Sequence, residues 1–328
     1  MRVDDTQRDV DWLHTALQAA VELELATIPP YLCAMWSIQD PNGDDQVRAL
    51  IKSIAVEEMG HMATACNLLT AIGGTPQINV AGAVPQYPGP LPGGVHPGLV
   101  IPLAGLTKDL VWNVFMEIEL PQSGPVVFAE GAAFPTIGAF YTAIAEAYKA
   151  LPASAITGER QVSMGGGTGA ASTIKDVNDA TAAIERIKEQ GEGSSTSPVG
   201  DPGSASSSDD LAHYYQFAEI FYGQRLVPNA DGVFEFTGPA LPFPQVLPMA
   251  EVPAAGYPES ADFDKAYTAV LTDLQQAWET GDQPVNGQKP SSRAVRAMFS
   301  LEPLALALMT TPRTDGPGNL GPAFKLAT

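Results

Sequence analysis

Cysteine is almost missing from this chain. Cys33 and Cys66 are the only two in 328 residues, each inside a predicted apolar helix and neither in a CxxC or zinc-type cluster. That excludes a disulfide scaffold or structural zinc module and predicts two buried free thiols in a reducing compartment. Positive charge is also scarce. Seventeen Lys and Arg stand against 37 Asp and Glu, a formal charge of −20. A broad electrostatic footprint for nucleic acid or an anionic membrane is thereby excluded. No apolar run reaches the ~20 residues of a membrane span without Pro, Gly or charge. The aspartate-rich Met1 to Asp11 has no apolar core of a signal peptide, so the expected location is the cytoplasm. Internal repeats are lacking, and the glycines after Met164 carry no GK[ST], so they predict a flexible loop and not a phosphate cradle.

What the chain does have is a set of acids and imidazoles in helical register. Glu58-Met59-Gly60-His61 sits in the long apolar stretch from Val47 to Ala71. Residues three apart share a helix face, and the rest of this face is Ile51, Ile54, Ala65, Leu68 and Ile72. A charged pair on an inward stripe is costly unless compensated. A metal ion compensates it, and Glu-x-x-His is the pair used in di-iron helical bundles. Glu57 also lies one turn from His61, but on a less apolar stripe.

Helical spacing predicts a first helix over 9–39, with Leu13, Leu17, Ala20, Glu24, Ile28, Tyr31 and Met35 inward and Glu22 toward solvent. Pro29-Pro30 deprives the carbonyls of Leu25 and Ala26 of their donors. A kink is expected there, opening a path for substrate or dioxygen beside Glu24. The turn 40–45 precedes the second helix, capped by Asp44 or Asp45, and Gly73-Gly74 and Pro76 end it. A Pro/Gly-rich crossover over 75–105 carries His96, read as a surface-loop residue. Thr107 to Leu120 forms a third helix holding Glu117 and Glu119, between which periodicity does not choose. Further helices are predicted over 136–151, 175–189, 209–225, 263–279 and 293–309, with a mobile Gly/Ser/Pro tract over 191–208 and a hairpin possible at Asp231-Gly232. Asp210-Leu211-Ala212-His213 repeats the acid-x-x-His spacing. The fold class is all-α, with a bundle over 1–226 and a Pro-rich wrap and additional helices over 227–328.

Five segments in order, "ELATIPPYL" (24–32), "EEMGHMATACNLLTAIGGTP" (57–76), "FMEIELPQ" (115–122), "TIGAFYTAI" (136–144) and "DLAHYYQFAEIFYGQRL" (210–226), resemble the ferritin-like family associated with iminophenyl-pyruvate dimer synthases of bisindole pathways. The resemblance covers about residues 10–226 and implies a ferritin-like four-helix bundle. It picks Glu24, Glu58 and His61, favours Glu119 over Glu117, and points to His213. Asp210 stands where the family pattern would tolerate Glu, with Glu219 as the fallback. The regions that the larger pathway enzymes add are lacking here, so their dimerising reaction does not transfer.

The composite set is Glu24, Glu58, His61, Glu119, Asp210 and His213: four carboxylates and two imidazoles, a di-iron recipe. Hard oxygen with imidazole suits two Fe ions, with Mn as the alternative. Without metal such a site repels itself, so its acids should protonate or the protein should lose stability. The expected activity is a di-iron oxidase or oxygenase of secondary metabolism, with dioxygen and a small aromatic metabolite as partners and a homodimer as the oligomer. Glu58 or Glu119 would bridge, and Tyr31, Trp36, Trp112 and Tyr214 would shape the substrate pocket. The alternatives are non-catalytic metal binding and a structural role in a biosynthetic complex.

Overall fold

The computed structural model describes residues 8–122, 133–164, 171–193, 197–200 and 211–327. Two long helices form its spine: α1 (Val10–Ser37) and α2 (Gln46–Ala71). Asp9 caps the first by accepting from Trp12 N, and Asp45 caps the second by accepting from Arg48 N. The two pack along their length and run antiparallel. The His14 ring at the start of α1 reaches the Ile72 carbonyl past the end of α2, and Arg48 at the start of α2 donates to the Met35 carbonyl. Gly73, at φ +86°, turns the chain out of α2, and Gly74 N–H closes on the Leu69 carbonyl.

Helix α1 runs unbroken through Pro29-Pro30. A proline at position 30 leaves the Ala26 carbonyl without its helical donor. The buried Tyr87 hydroxyl, from the crossover loop, donates to it at 2.8 Å. The path expected beside Glu24 is therefore not where the prolines lie. Pro29 is five residues on from Glu24, about 140° round the helix, and faces an apolar cavity beneath the C-terminal helices.

The third bundle element, α3, is made of three pieces: Lys108–Leu110, a π-helical turn Val111–Phe115, and Met116–Ile118. Met116 N–H bonds the Val111 carbonyl five residues back. Helices α4 (Ile137–Ala150), α5 (Val177–Glu192) and α6 (His213–Tyr222) complete this part. Tyr148 of α4 donates to the Leu68 carbonyl of α2, and its ring is fully buried. A hairpin follows at the expected place, with β1 (Val227–Pro228) antiparallel to β2 (Phe234–Glu235).

The C-terminal part lies against the outside of α1 and α2. Helix α7 (Ala261–Thr280) sends Trp278 Nε1–H to Oδ1 of Asn67 at 2.9 Å, and Trp36 of α1 stacks on Phe324. The expected single helix over 293–309 is instead two, α8 (Pro290–Met298) and α9 (Leu301–Met309). Pro303 explains the break: in a continuous helix its ring would meet the carbonyl of Phe299, four residues back. Phe299, at that corner, is 79% exposed. Cys33 and Cys66 are buried and free. Residues 123–132, 165–170, 194–196 and 201–210 lie outside the described residues, and with them most of the glycine-rich loop after Met164 and of the expected tract 191–208. Among the described residues, no helix is long and apolar enough to cross a membrane.

The Tyr87→Phe variant keeps the ring's packing and removes only the donor to Ala26. It is expected to lose about 1–3 kcal/mol of stability, read as a lowered midpoint in urea denaturation with an unchanged slope.

Candidate metal centre

Four helices deliver acids and imidazoles to one interior point. Glu24 (α1), Glu58 and His61 (α2), Glu119 (end of α3) and His213 (start of α6) are each 5% exposed or less. Glu58 lies at the centre. Its Oε1 is 3.3 Å from His61 Nδ1 and 2.9 Å from His213 Nδ1, while its Oε2 accepts from the Thr27 hydroxyl at 2.8 Å. Glu24 Oε2 stands 3.9 Å from His61 Nδ1, and Glu119 Oε2 stands 3.7 Å from His213 Nδ1. The ligand atoms form two triads, Glu24–Glu58–His61 and Glu58–Glu119–His213, each within 4.8 Å. Glu58 belongs to both.

The outer ring nitrogens decide what the inner ones do. His61 Nε2–H donates to Oε1 of Gln190 at 2.9 Å, and His213 Nε2–H donates to Oε2 of Glu57 at 3.1 Å. An acceptor on Nε2 turns the Nδ1 lone pair inward once the ring is neutral. His213 Nδ1 is buried and, although 2.9 Å from Glu58 Oε1, has no well-formed hydrogen bond. An orphaned, inward-facing nitrogen among carboxylates fits a divalent cation. The remaining oxygens are anchored too: Tyr141 donates to Glu24 Oε1 at 2.5 Å and Tyr31 to Glu119 Oε1 at 2.6 Å.

Electrostatics follow from this crowding. Burial first, and then the charge of Glu58, pushes the Glu24 carboxyl well above its ordinary value despite Tyr141. Burial would do the same to Glu58, but the His61 and His213 imidazoles outweigh it and hold Glu58 well below. His61 is pushed up to about 9: burial opposes its charge, and the carboxylates of Glu58 and Glu24 prevail. His213 moves the same way against its burial, through Glu119, Glu57 and Glu58. The surrounding carboxylates thus favour a proton on each imidazole.

The remaining expectations divide. Glu117 is not in the cluster; it turns outward to meet His96 Nε2 at 3.0 Å. The π-turn explains why periodicity left Glu117 and Glu119 undecided, since it widens the helix between Trp112 and Met116 and shifts the faces beyond it. Trp112, on the expected inner face with Glu119, is 43% exposed. Glu219, the fallback, is buried elsewhere, accepting from Arg225 Nη1 and Leu226 N at 2.7 Å. Asp210 lies outside the described residues, and α6 begins only at His213. The four expected pocket aromatics pack apart: Tyr31 on Phe115 and Phe217, Trp36 on Phe263 and Phe324, Trp112 on Phe221, Tyr214 on Tyr215.

Sequence reasoning missed Gln190 and Glu192, both on α5. Glu192 is buried, and its oxygens accept from Gly138 N at 2.6 Å and Gln122 N at 3.0 Å. Burial pushes its carboxyl up to about 7 against those bonds. A Cβ on Gly138 would come within 2.3 Å of Glu192 Oε2, so only glycine allows this approach. Helical spacing ends this helix at 189 and places Glu192 in the mobile tract 191–208; the helix instead runs on to Glu192, and the run "EQGEG" (189–193) is the available signal. Glu192 borders a space of about 10 Å³ against Glu24, Glu58, His61 and Glu119, room for one water-sized particle.

Comparison with known proteins agrees with this architecture. A family model described as ferritin-like matches residues 17–222. A crystal structure of a ferritin-like protein from Caulobacter vibrioides superposes with a TM-score of 0.66 at 21% identity, covering 97% of this chain and 98% of that one. That likeness shows the fold. No curated protein matches the chain.

The raised His61 value sets a pH test. The folded value of about 9 exceeds the ordinary 6.5, so His61 stabilises the metal-free protein fully below pH 6.5. That contribution is lost as pH rises through 9, about 3 kcal/mol in all at ~1.4 kcal/mol per unit. A bound divalent cation replaces the proton and removes the dependence. Thermal denaturation at pH 6.5 and 9 is expected to show the gap between metal-loaded and metal-free protein widening with pH.

Proposed function

The chain belongs to the ferritin-like family, whose model spans residues 17–222, and on that premise we propose that it is a non-heme di-iron oxidase or oxygenase acting on a small aromatic metabolite. The observation that carries this reading is the double membership of Glu58 in two buried triads. One carboxylate oxygen facing two inward imidazole nitrogens is the arrangement of a bridging ligand. Glu24 and His61 complete one metal position, and Glu119 and His213 the other. Carboxylate oxygen with imidazole nitrogen favours iron, with manganese as the alternative. Asp210 is the remaining carboxylate of the expected set.

Iron held by these residues would supply redox chemistry toward dioxygen, with the electrons for turnover coming from the substrate or an external reductant. The chain's own part is positional and protective. Thr27, Tyr31 and Tyr141 hold the carboxylate oxygens that face away from the triads, so the ligands are fixed before metal arrives. Glu57 and Gln190 fix the imidazoles in the same way. Burial excludes bulk water from the reacting point. The space beside Glu192 suits a diatomic gas; an aromatic ring needs the α4–α5 junction to open. The resemblance of the five segments to the iminophenyl-pyruvate dimer synthase family is what suggests an aromatic substrate and a place in secondary metabolism. Glu58 and Glu119 are the residues we assign to the catalytic step, because both would hold the metal and both line the space beside Glu192.

Ferrous iron titrated anaerobically into metal-free protein is expected to saturate at two equivalents per chain. Glu58→Ala should lose both, whereas Glu24→Ala should retain the Glu119–His213 position. Glu57→Ala, which leaves every ligand in place, is expected to weaken iron binding about 10–100-fold. An oxygen electrode then separates the alternatives: the loaded wild type should consume dioxygen faster when aromatic 2-keto or amino acids are added. Two bound irons with no uptake would select non-catalytic metal binding instead.

A further inference from the structure

The C-terminal helices cover the outside of the α1–α2 pair without closing on it. Two adjoining spaces remain. The inner one, about 50 Å³, lies between Leu25, Ile28 and Pro29 of α1 and Leu274 and Trp278 of α7. The outer one, about 210 Å³, opens between α2 and the α8–α9 corner, against Trp36, Ala55, Val295 and Phe299. Leu32, Met59 and Met298 belong to both walls. Leu32 lies about 80° round α1 from Glu24, and Met59 about 100° and 160° round α2 from Glu58 and His61, so the cleft is not the approach to the acidic cluster. An apolar cavity of about 150 Å³ takes a benzene ring, and the outer space exceeds that. Two of the three shared wall residues are methionines, whose unbranched side chains re-pack around a guest.

Charge at the mouth identifies the guest. The outer space is bordered by Arg48, Lys52 and Glu302. Arg48 is committed, donating to Glu302 Oε1 at 2.5 Å and to the Met35 carbonyl at 2.9 Å. Lys52, one turn further along the same face of α2, is exposed and has no hydrogen-bond or ion-pair partner among the described residues. Asp40 Oδ2 also lies 3.9 Å from Arg48 Nε, so Arg48 is matched by two carboxylates and Lys52 is the charge left unpaired at this lip among the described residues. An uncharged apolar guest would leave the ammonium unused, and a second negative charge on the guest would meet Glu302.

We propose that this cleft binds a monocarboxylate with a compact apolar body, a single ring or a short alkyl chain. Its carboxylate pairs with Lys52, and its apolar end lies under Leu32, Met59 and Met298. The site is independent of the metal reading and stands whether or not the cluster holds iron.

The test uses the full chain with ¹³C-labelled methionine methyls, titrated with octanoate, 3-phenylpropanoate and octanol. At least one of the two carboxylates is expected to shift the Met59 and Met298 methyls saturably, and octanol to bind about tenfold more weakly, a charge-assisted contact being worth about that much. Lys52→Gln should bring the carboxylate down to the alcohol's affinity and leave the alcohol unchanged. Iron stoichiometry should be the same in this variant, because Lys52 is no part of the cluster. The proposal is overturned if neither carboxylate moves these methyls saturably. It is equally overturned if acid and alcohol bind alike, or if Lys52→Gln leaves carboxylate affinity intact.

Discussion

One carboxylate oxygen between two imidazoles holds the interior of this protein together. Glu58 Oε1 approaches both His61 and His213, and those rings are 152 residues apart in sequence. An isolated buried carboxylate is among the most expensive groups a fold can contain. Here its charge is offset by the two imidazoles, and its second oxygen by Thr27. Remove any of these and an uncompensated charge remains inside, which is more damaging than never having had the pair. The packing of α1, α2, α3 and α6 is thereby tied to one register, because only in that register do the charges meet.

Around this centre lies a second layer whose members come from α1, α2, α4 and α5. Tyr31 and Tyr141 orient Glu119 and Glu24. Gln190, from α5, sets the His61 ring, and Glu57, immediately before Glu58 in the chain, sets that of His213. Glu57 and Glu58, about 100° apart on one turn of helix, point in different directions, and that step separates a candidate ligand from the group that orients His213. The same layer explains why α4 and α5 are needed. Glu192 ties the end of α5 to the start of α4 through Gly138 N, at a glycine where any side chain would collide.

The outer, C-terminal part follows a different logic. It meets α1 and α2 through large apolar groups, with Trp278 and Trp36 anchored on Asn67 and Phe324. It leaves a hollow where α8 and α9 are forced apart by Pro303. Tyr87 shows the opposite solution to a proline, a side-chain donor brought in to satisfy the carbonyl that Pro30 abandons. One proline is absorbed, and the other makes a corner.

How much of this was legible beforehand depends on whether the controlling interaction is local. Helix α2 was readable from end to end, because Asp45, the apolar stripe and Gly73-Gly74 act within a few residues of one another. Glu58 with His61 was readable for the same reason, three residues being fixed by helix geometry. The choice of Glu119 over Glu117 was not, because a π-turn shifts the faces of α3 and nothing in local spacing announces it. Nor was the break at Phe299, although Pro303 was in plain sight, since apolar spacing ran straight across it. The second layer was invisible because each of its bonds joins residues far apart in the chain, 129 apart for His61 and Gln190 and 117 for Tyr141 and Glu24. Sequence by itself determined which residues carry charge on inward helix faces, since periodicity is a property of the chain. Only the tertiary structure decided that those charges share one point, because the free energy of a buried ion depends on what surrounds it.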